Sequence, residues 1–298
     1  MRDGATQGEE QRMVRTNREQ LVEMAVGGEV WPAALRAPYR PNAQGIAKIF
    51  MGTAGVIINA RVGDPAYGWA ADHVEPAVSI RNKQDGPEHA LHYLACIGNT
   101  AIMTSGEAKG ARGVVTGEHA HIMVDFEPEV LEQICIGDQV LIRAIGMGLA
   151  MLDYPDISVR KMSPELFDVL RIEELSDGRI RVPVAAEIPG YLMGSGAELG
   201  ADYVDQDMMT NDRQTLAELG LDQLRIGDIL AVRDHDHTQN RGYREGAITI
   251  GIINHADSFM TGHGPGVMDL LSCATAKIEP VIDTKANLAV YLGIGNHG

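Results

Sequence analysis

Short runs of apolar residues, rich in Val and Ile and bounded by Gly, Asp or Pro, recur along most of the chain. Runs of this kind between turn-forming residues are typical of β-strands. They predict strands over Ala47–Met51, Gly55–Arg61, Thr100–Thr104, Gly113–Thr116, His121–Phe126, Gln139–Ile145, Arg179–Ala185, Asp228–Arg233 and Ala247–Asn254. Glycine accounts for 34 of 298 residues, which suits many tight turns between short strands. We therefore expect a mostly β protein of the α+β class, with small β-barrel-like subdomains and a few short helices.

Helical signals are few. Ser163, Pro164 and Glu165 combine an N-cap, a proline in the first turn and an acid near the positive end of the helix dipole, so they predict a helix that runs to about Arg171. Asp212 is a second N-cap candidate, with Gly220 as the end of its helix. A third helix is expected after Pro265.

The first 44 residues differ from the rest of the chain. They begin with a charged segment, pass through a short helical pattern around Asn17–Ala25 and end in a stretch that contains Pro32, Pro38 and Pro41. We expect residues 1–44 to form an N-terminal arm that packs on a second subunit of a homo-oligomer, and residues 45–298 to form the mostly β domain.

A weak internal echo links two parts of this domain. Residues 131–144 and 221–234 share a Leu, then Ile-Gly-Asp and an alternating strand. Gly-Asp is a turn that feeds a strand. The echo suggests two related β-barrel-like halves that divide near residues 150–160, with the coincidence of a frequent turn as the less favoured alternative.

The charge balance restricts the partners. With 41 acidic and 25 basic residues, the net charge is −16, which repels nucleic acid and anionic membrane surfaces. The N-terminal segment has no apolar region typical of a signal peptide, so the expected location is the cytoplasm. Cys96, Cys135 and Cys273 are odd in number and form no Cys-x-x-Cys pair, which argues against a disulfide framework or a cysteine zinc site.

Histidine and acidic residues stand at the ends of several predicted strands, next to glycine. Residues two apart on an extended chain point to the same face, so Asp234 with Asp236, and His255 with Asp257, could each chelate a divalent metal such as Zn, Mn or Mg. His73 lies two positions before Glu75 in a similar setting. The candidate metal ligands are His73, His255, Asp257, Asp234 and Asp236.

Two further segments carry candidate substrate contacts. In Thr261–Val267, with sequence TGHGPGV, residues Gly262, His263, Gly264 and Gly266 could present backbone N–H groups to an anionic group of a substrate. In SGEAKG, Glu107 and Lys109 could act as a general acid/base with an electrostatic stabiliser, although this composition also suits an exposed turn. Neither GxxxxGK[ST] nor GxGxxG occurs, so no nucleotide cofactor is indicated.

The combined order of these blocks resembles a prokaryotic family known only as a domain of unknown function. The blocks are DHVEPAVSI, CIGNTAIMTSGEAKGARGVVTG, IGDQVLIRAIGMGL, IPGYLMGSG, LRIGDILAVRD, GAITIGIINHAD and GHGPGV. The resemblance covers roughly residues 45–290. It implies a mostly β fold in several small subdomains and carries no assigned activity. It also implies acids at Asp234 and Asp236, whereas His235 and His237 are this sequence's own variation.

Three functions are consistent with these residues. The first is a metal-dependent hydrolase that acts on a small amide or cyclic amide with a carboxylate group. The second is an isomerase or lyase that acts on a small carboxylate through Glu107 and Lys109. The third is a non-catalytic protein that binds a small anionic ligand in the glycine-rich loop.

Overall fold

The computed structural model describes residues 14–35, 37, 39–198 and 200–296. Its strands are β1 (Met24–Val30), β2 (Arg40–Pro41), β3 (Ala47–Lys48), β4 (Val56–Ile57), β5 (Ala77–Arg81), β6 (Thr100–Met103), β7 (Arg112–Glu118), β8 (Ile122–Asp125), β9 (Gln139–Ala144), β10 (Ile157–Val159), β11 (Glu173–Glu174), β12 (Ile180–Val184), β13 (Ala186–Pro189), β14 (Gln206–Asp207), β15 (Ile229–Asp236), β16 (Gly242–His255), β17 (Gly266–Cys273) and β18 (Ile278–Ile282). Its α-helices are α1 (Asp85–Leu94), α2 (Pro128–Leu131), α3 (Pro164–Val169), α4 (Arg213–Glu218) and α5 (Leu288–Leu292). None of these helices is long and apolar enough to cross a lipid bilayer.

A closed antiparallel barrel forms the first half of the protein. Its strands follow the order β1-β9-β6-β7-β8-β5, and β1 pairs with β5 to close the ring. Val30, Ile80, Ile122 and Ile142 fill its interior and are fully buried, since alternate positions along each strand face inward. The barrel confirms the mostly β fold with barrel-like parts.

An open sheet forms the centre of the second half. The long strand β16 lies between β15 and β17; β10 and β14 pair with β17, and β13 runs parallel to β15. A smaller sheet, β11-β12-β18, packs nearby. Every residue of β17 is buried, and a strand covered on both faces reads as a continuous apolar run rather than an alternating one.

The strand predictions all fall on observed strands, and two of the three helix predictions after residue 44 fall on observed helices. Ser163 Oγ accepts a hydrogen bond from Leu166 N at 3.1 Å and caps α3, and Asp212 Oδ1 accepts one from Thr215 N at 3.1 Å and caps α4. The helix expected after Pro265 is wrong, because that segment is β17. A short apolar run does not distinguish a buried strand from a buried helix.

Within the segment expected to be a helical part of an arm, Arg18–Gln20 forms a single 3-10 turn, and the chain from Met24 onward forms a barrel strand instead. β1 pairs with β9 over six residue pairs, from Met24 with Ala144 to Glu29 with Gln139. Gly27 and Gly28 weaken its strand signal in the sequence. Gly28 is needed there, because a Cβ atom would lie 2.4 Å from the carbonyl oxygen of Arg81. Residues 1–13 and Pro38 of the expected arm lie outside the described residues.

The two Ile-Gly-Asp segments form the same turn. Asp138 Oδ2 accepts a hydrogen bond from Cys135 N at 2.8 Å, and Asp228 Oδ2 accepts one from Arg225 N at 2.7 Å. The first turn leads into β9 of the closed barrel and the second into β15 of the open sheet. The echo is therefore a shared turn that introduces strands of two different sheets.

Candidate functional site

The barrel and the open sheet meet at the ends of β7 and β16. There Asn254 Nδ2 donates a hydrogen bond to the carbonyl oxygen of Glu118 at 2.6 Å. This contact places the residues that follow in each chain segment side by side, and the ring centroids of His119 and His255 lie 4.3 Å apart. The loops before β5 and β17 complete the site with His73 and His263.

The backbone and ring of His73 are both held in place. Its φ angle is 48°, in the left-handed region that non-glycine residues seldom adopt, and its N–H donates to the carbonyl oxygen of Asp257 at 3.0 Å. Its Nδ1 donates to Asp72 Oδ2 at 2.6 Å, while Asp72 Oδ1 accepts from Ser258 Oγ and Phe259 N, both at 2.8 Å. The ring therefore directs Nε2 into the cluster.

Two other histidines are oriented in the same way. His119 Nδ1 donates to Glu75 Oε1 at 2.9 Å, and His255 Nδ1 donates to the carbonyl oxygen of Ala256 at 2.8 Å. His121 also donates to Glu75 Oε1, at 3.0 Å. Histidine ligands of metal ions generally give their second ring N–H to a carboxylate or backbone carbonyl, and the rings of His73, His119 and His255 all follow this pattern.

Two aspartates at β14 face these rings. His255 Nε2 lies 3.0 Å from Asp205 Oδ2 and 3.4 Å from Asp207 Oδ1. Asp207 Oδ2 lies 2.6 Å from His263 Nδ1 and 3.2 Å from His73 Nε2. Ligand atoms bound at about 2.0–2.3 Å around one ion are separated by roughly 3 Å, so these contacts have the spacing of a coordination shell.

The structure therefore contains several His/Asp groups that could hold a metal ion. The groups are His73 with His119 and His255, His73 with Asp207 and His263, and Asp205 with Asp207 and His255; within each group the ligand atoms lie within 4.8 Å of one another. Their donor atoms are imidazole nitrogens and carboxylate oxygens, the ligands that Zn²⁺ and Mn²⁺ accept.

His255 Nε2 shows most clearly that the cluster suits a cation. The residue is fully buried, and its Nε2 has no hydrogen-bond partner among the described residues, because the contact with Asp205 lacks hydrogen-bond alignment. Gly266 keeps the space beside it open. A Cβ atom at that position would lie 2.3 Å from His255 Nε2 and 2.1 Å from Asp205 Oδ2.

The surrounding histidines favour the ionised form of Asp207 and Glu75 by lowering the pKa of each carboxyl. Burial favours a higher pKa for Asp207, but the close contacts of its carboxylate with the imidazoles of His255, His263 and His73 hold its pKa well below the ordinary value. For Glu75, burial is likewise outweighed by His119 and His121, and its pKa is lowered. Burial favours a lower pKa for His255, yet the charges of Asp205 and Asp207 raise it well above the ordinary value.

The cluster is open to solvent on one side. The side chains of His263 and His119 are 25% and 19% exposed, whereas those of His73 and His255 are buried. The Phe50 ring lies 5.5 Å from the His73 ring, and the Arg40 guanidinium lies 5.7 Å from the Phe50 ring. The hairpin of β2 and β3 thus places an arginine near the open side.

The structure brings three of the residues predicted from sequence into the cluster, namely His73, His255 and His263. It does not bring Asp257 in. The Asp257 carboxylate points the other way, accepts a hydrogen bond from Thr210 Oγ1 at 2.5 Å and pairs with Arg213. Its contribution to the site is the backbone carbonyl that holds His73.

Asp234 and Asp236 also lie outside the cluster. A bulge interrupts β15 between Arg233 and His235, and both aspartates accept hydrogen bonds within the hairpin of β15 and β16. Asp234 Oδ1 accepts a hydrogen bond from Gly246 N at 2.8 Å, and Asp236 Oδ1 accepts one from Thr238 N at 2.9 Å.

Glu107 and Lys109 are both exposed on the turn between β6 and β7. That turn does not contribute to any of the His/Asp groups, so the isomerase or lyase hypothesis has no structural support in these two side chains.

The glycine-rich loop provides close packing around the cluster. The carbonyl oxygen of Gly262 accepts a hydrogen bond from Ser195 N at 2.9 Å. A Cβ atom on Gly264 would lie 1.9 Å from the carbonyl oxygen of Met208. Gly264 therefore lets the loop lie directly against the segment that follows β14, with His263 at the cluster.

The sequence analysis missed Asp205 and Asp207 and did not include His119 among the candidate residues. The aspartates belong to the segment ADYVDQDMM, whose Asp-x-Asp spacing places both on one side of an extended chain. This spacing was a usable signal. Strand β14, however, has only two residues, so no apolar run in the sequence predicts a strand there.

The fold and the site define a mostly β protein with a closed barrel and a partly open His/Asp cluster at the junction with a second sheet. The family described as Domain of unknown function (DUF4438) matches the chain in both its parts, the N-terminal domain over residues 39–168 and the C-terminal domain over residues 169–292. The chain therefore belongs to the DUF4438 family, which confirms the resemblance to an uncharacterised family.

A solved structure is similar over nearly the whole chain. The protein in "Crystal structure of TM1086" is 42% identical, with a TM-score of 0.90, over 94% of this chain and 99% of that chain. No curated protein matches the sequence.

Proposed function

We propose that this protein is a metal-dependent hydrolase whose active centre is the His/Asp cluster. The observation that carries the proposal is the convergence of the ligand atoms of His73, His255, His263, Asp205 and Asp207, with the His73 and His255 rings oriented through Nδ1. A buried polar set of this density is costly without a compensating partner. A divalent cation is that partner.

The donor set favours Zn²⁺ or Mn²⁺ over Mg²⁺. Mg²⁺ prefers oxygen ligands and retains several waters, whereas imidazole nitrogen suits transition metals, and four of the six side chains in the three groups are histidines. A bound ion of this kind would polarise a substrate carbonyl and lower the pKa of a bound water toward about 7.

His119 is suited to carry the proton. It is more exposed than His73 and His255, and Glu75 holds its ring through Nδ1 at 2.9 Å. In the hydrolysis, the oxygen of water attacks the carbonyl carbon, the C–N bond breaks, and the water proton passes through His119 to the departing nitrogen. Positioned proton transfer of this type contributes roughly 10²–10⁴-fold to rate.

The proposed substrate is a small amide or cyclic amide with a carboxylate group. Arg40 supports the carboxylate, because its guanidinium lies over the Phe50 ring that packs on His73, and its Nε finds no hydrogen-bond partner among the described residues. Arginine recognises carboxylates through paired N–H donors. It takes the role that the sequence analysis assigned to the glycine-rich loop.

The test is a hydrolysis screen with metal-depleted and metal-restored protein. The full chain is stripped with a chelator, restored with Zn²⁺ or Mn²⁺, and assayed on N-acyl amino acids and on five- and six-membered cyclic amides for release of product. Turnover that requires the metal and is lost in His255→Ala, but kept in the exposed-histidine control His89→Gln, supports the proposal. Metal binding without turnover on any of these probes would instead indicate a non-catalytic binding protein.

A further inference from the structure

Asp207 presents its two carboxylate oxygens to different histidines. Oδ2 lies 2.6 Å from His263 Nδ1 and 3.2 Å from His73 Nε2. Oδ1 faces the opposite direction, 3.4 Å from His255 Nε2, where Asp205 Oδ2 also lies at 3.0 Å. The carboxylate therefore stands between two sets of donors, each with its own oxygen.

These donors are too widely spread for a single ion. They form overlapping groups of three rather than one large group within 4.8 Å. Ligands on opposite sides of one ion with bonds of about 2.0–2.3 Å are separated by at most roughly 4.6 Å. His263 and Asp205 share no group, and each is grouped with Asp207 through a different set of neighbours.

Charge leads to the same conclusion. Within the described part of the chain, the ion pairs of Asp72, Glu75, Asp205 and Asp207 are all with histidines. Four buried carboxylates without an ion pair to lysine or arginine leave a surplus of negative charge. When the histidine ligands are neutral, more than one divalent ion is needed to neutralise this charge.

We infer that the cluster is a dinuclear metal centre in which Asp207 bridges the two ions. One ion is held by His73, His263 and Asp207 Oδ2, and the other by His255, Asp205 and Asp207 Oδ1. His119, at a ring distance of 5.1 Å from His73 and 4.3 Å from His255, stays beside both ions as the proton carrier. This inference rests on the proposed hydrolase function and specifies its centre as the two-ion type, in which both ions stabilise the attacking oxygen and the substrate oxygen.

The experiment counts metal ions in the full chain. Chelator-stripped protein is titrated with Mn²⁺, desalted and analysed for manganese per chain, and the electron paramagnetic resonance spectrum is recorded. Two ions per chain with an exchange-coupled spectrum are expected for the wild type and for His89→Gln. Asp205→Asn, which changes a ligand of one ion only, is expected to retain one ion with an uncoupled spectrum.

The outcomes separate this inference from the proposed function. One ion per wild-type chain, with an uncoupled spectrum, overturns the dinuclear centre and leaves a mononuclear hydrolase standing. Failure of the wild type to retain Mn²⁺ or Zn²⁺ at all overturns both. The wild-type count and spectrum decide between these results even if Asp205→Asn does not fold.

Discussion

Two buried polar clusters lie next to each other in this protein, and they differ in the groups that neutralise their buried carboxylates. Glu118 belongs to one and His119, the next residue, to the other. In the first cluster, which we call the closed cluster, Glu118 Oε1 lies 2.5 Å from His92 Nδ1 and Glu118 Oε2 lies 2.9 Å from Lys161 Nζ. The side chains of Glu118, His92 and Lys161 are at most 2% exposed.

The closed cluster contains a lysine beside its carboxylate, whereas among the described residues the carboxylates of the His/Asp cluster form ion pairs with histidines alone. Lys161 neutralises Glu118 directly, and Arg81 pairs with Glu88, the other acid near His92. In the His/Asp cluster the ion-pair partners of Asp205 and Asp207 are histidines, and one side opens to solvent. The comparison supports a structural role for the closed cluster and the proposal that the open one takes a cation from solution.

The largest effect that we expect comes from removing the internal cation of the closed cluster. Lys161→Met keeps the length of the side chain but leaves Glu118 buried without its strongest partner. Breaking one side of a buried ion pair costs about 3–5 kcal/mol, so the free energy of unfolding measured in urea should fall by that amount.

The control is Lys109→Met, which removes an exposed lysine and should change the free energy of unfolding by less than about 0.5 kcal/mol. Manganese content should be the same in both variants. A loss below about 1 kcal/mol for Lys161→Met would mean that the closed cluster does not depend on Lys161.

A smaller effect, confined to catalysis, is expected at the neighbouring His119. His119→Gln removes the proton carrier but leaves Asp205, Asp207 and His255 in place, so kcat should fall at least about a hundredfold with metal content and the unfolding midpoint unchanged. Kinetics and metal analysis of the same preparation provide the check. If the variant loses metal instead, His119 is a ligand and the assignment of its role is wrong.

The smallest effect concerns a third buried group, in the open sheet. His235 packs against His237 at a ring distance of 4.2 Å, and His237 Nδ1 lies 2.5 Å from Asp269 Oδ2. Burial, helped by the charge of His237, lowers the pKa of His235 to about 4. The unfolded chain, with a pKa near 6.5, binds the proton first, so stability falls as the pH drops from about 6.5 toward 4.

At pH 5 this linkage should cost the wild type about 2 kcal/mol relative to pH 7. His235→Gln should lose that part of the pH dependence, while the exposed control His89→Gln should keep it. Urea unfolding of the three proteins between pH 7 and pH 4.5 provides the measurement. Parallel curves for wild type and His235→Gln would show that His235 is not held neutral by burial.

The sequence was sufficient for the elements that carry a local signal. The apolar runs of β9, β15 and β16 located those strands, and the caps at Ser163 and Asp212 located α3 and α4. Elements whose sequence is shaped by contacts with neighbouring parts of the fold were missed. β1 is interrupted by glycines that its neighbours require. Every residue of β17 is buried, so its sequence lacks the alternation of apolar and polar positions that marks a half-exposed strand.

The sequence predicted the residues of the site that carry a local signal and missed those that only the fold brings close. His73, His255 and His263 stand at strand ends beside glycine, where sites are often built. Their meeting with Asp207 joins residues 134 and 56 positions apart, for His73 and His263 respectively. A local sequence pattern carries no information about contacts between residues so far apart. The sequence analysis therefore chose Asp257, which is close to His255 in the sequence, and not Asp207, which is close to it in space.

The central claim, that the His/Asp cluster takes its cation from solution, is tested most directly by thermal unfolding of chelator-stripped protein with and without Mn²⁺ or Zn²⁺. At a metal concentration about 100 times the dissociation constant, binding should stabilise the wild type by about 2.7 kcal/mol. The unfolding midpoint should rise accordingly, and Asp207→Asn should lose the rise. Equal midpoints with and without metal in the wild type, or a rise that persists in Asp207→Asn, would contradict the account.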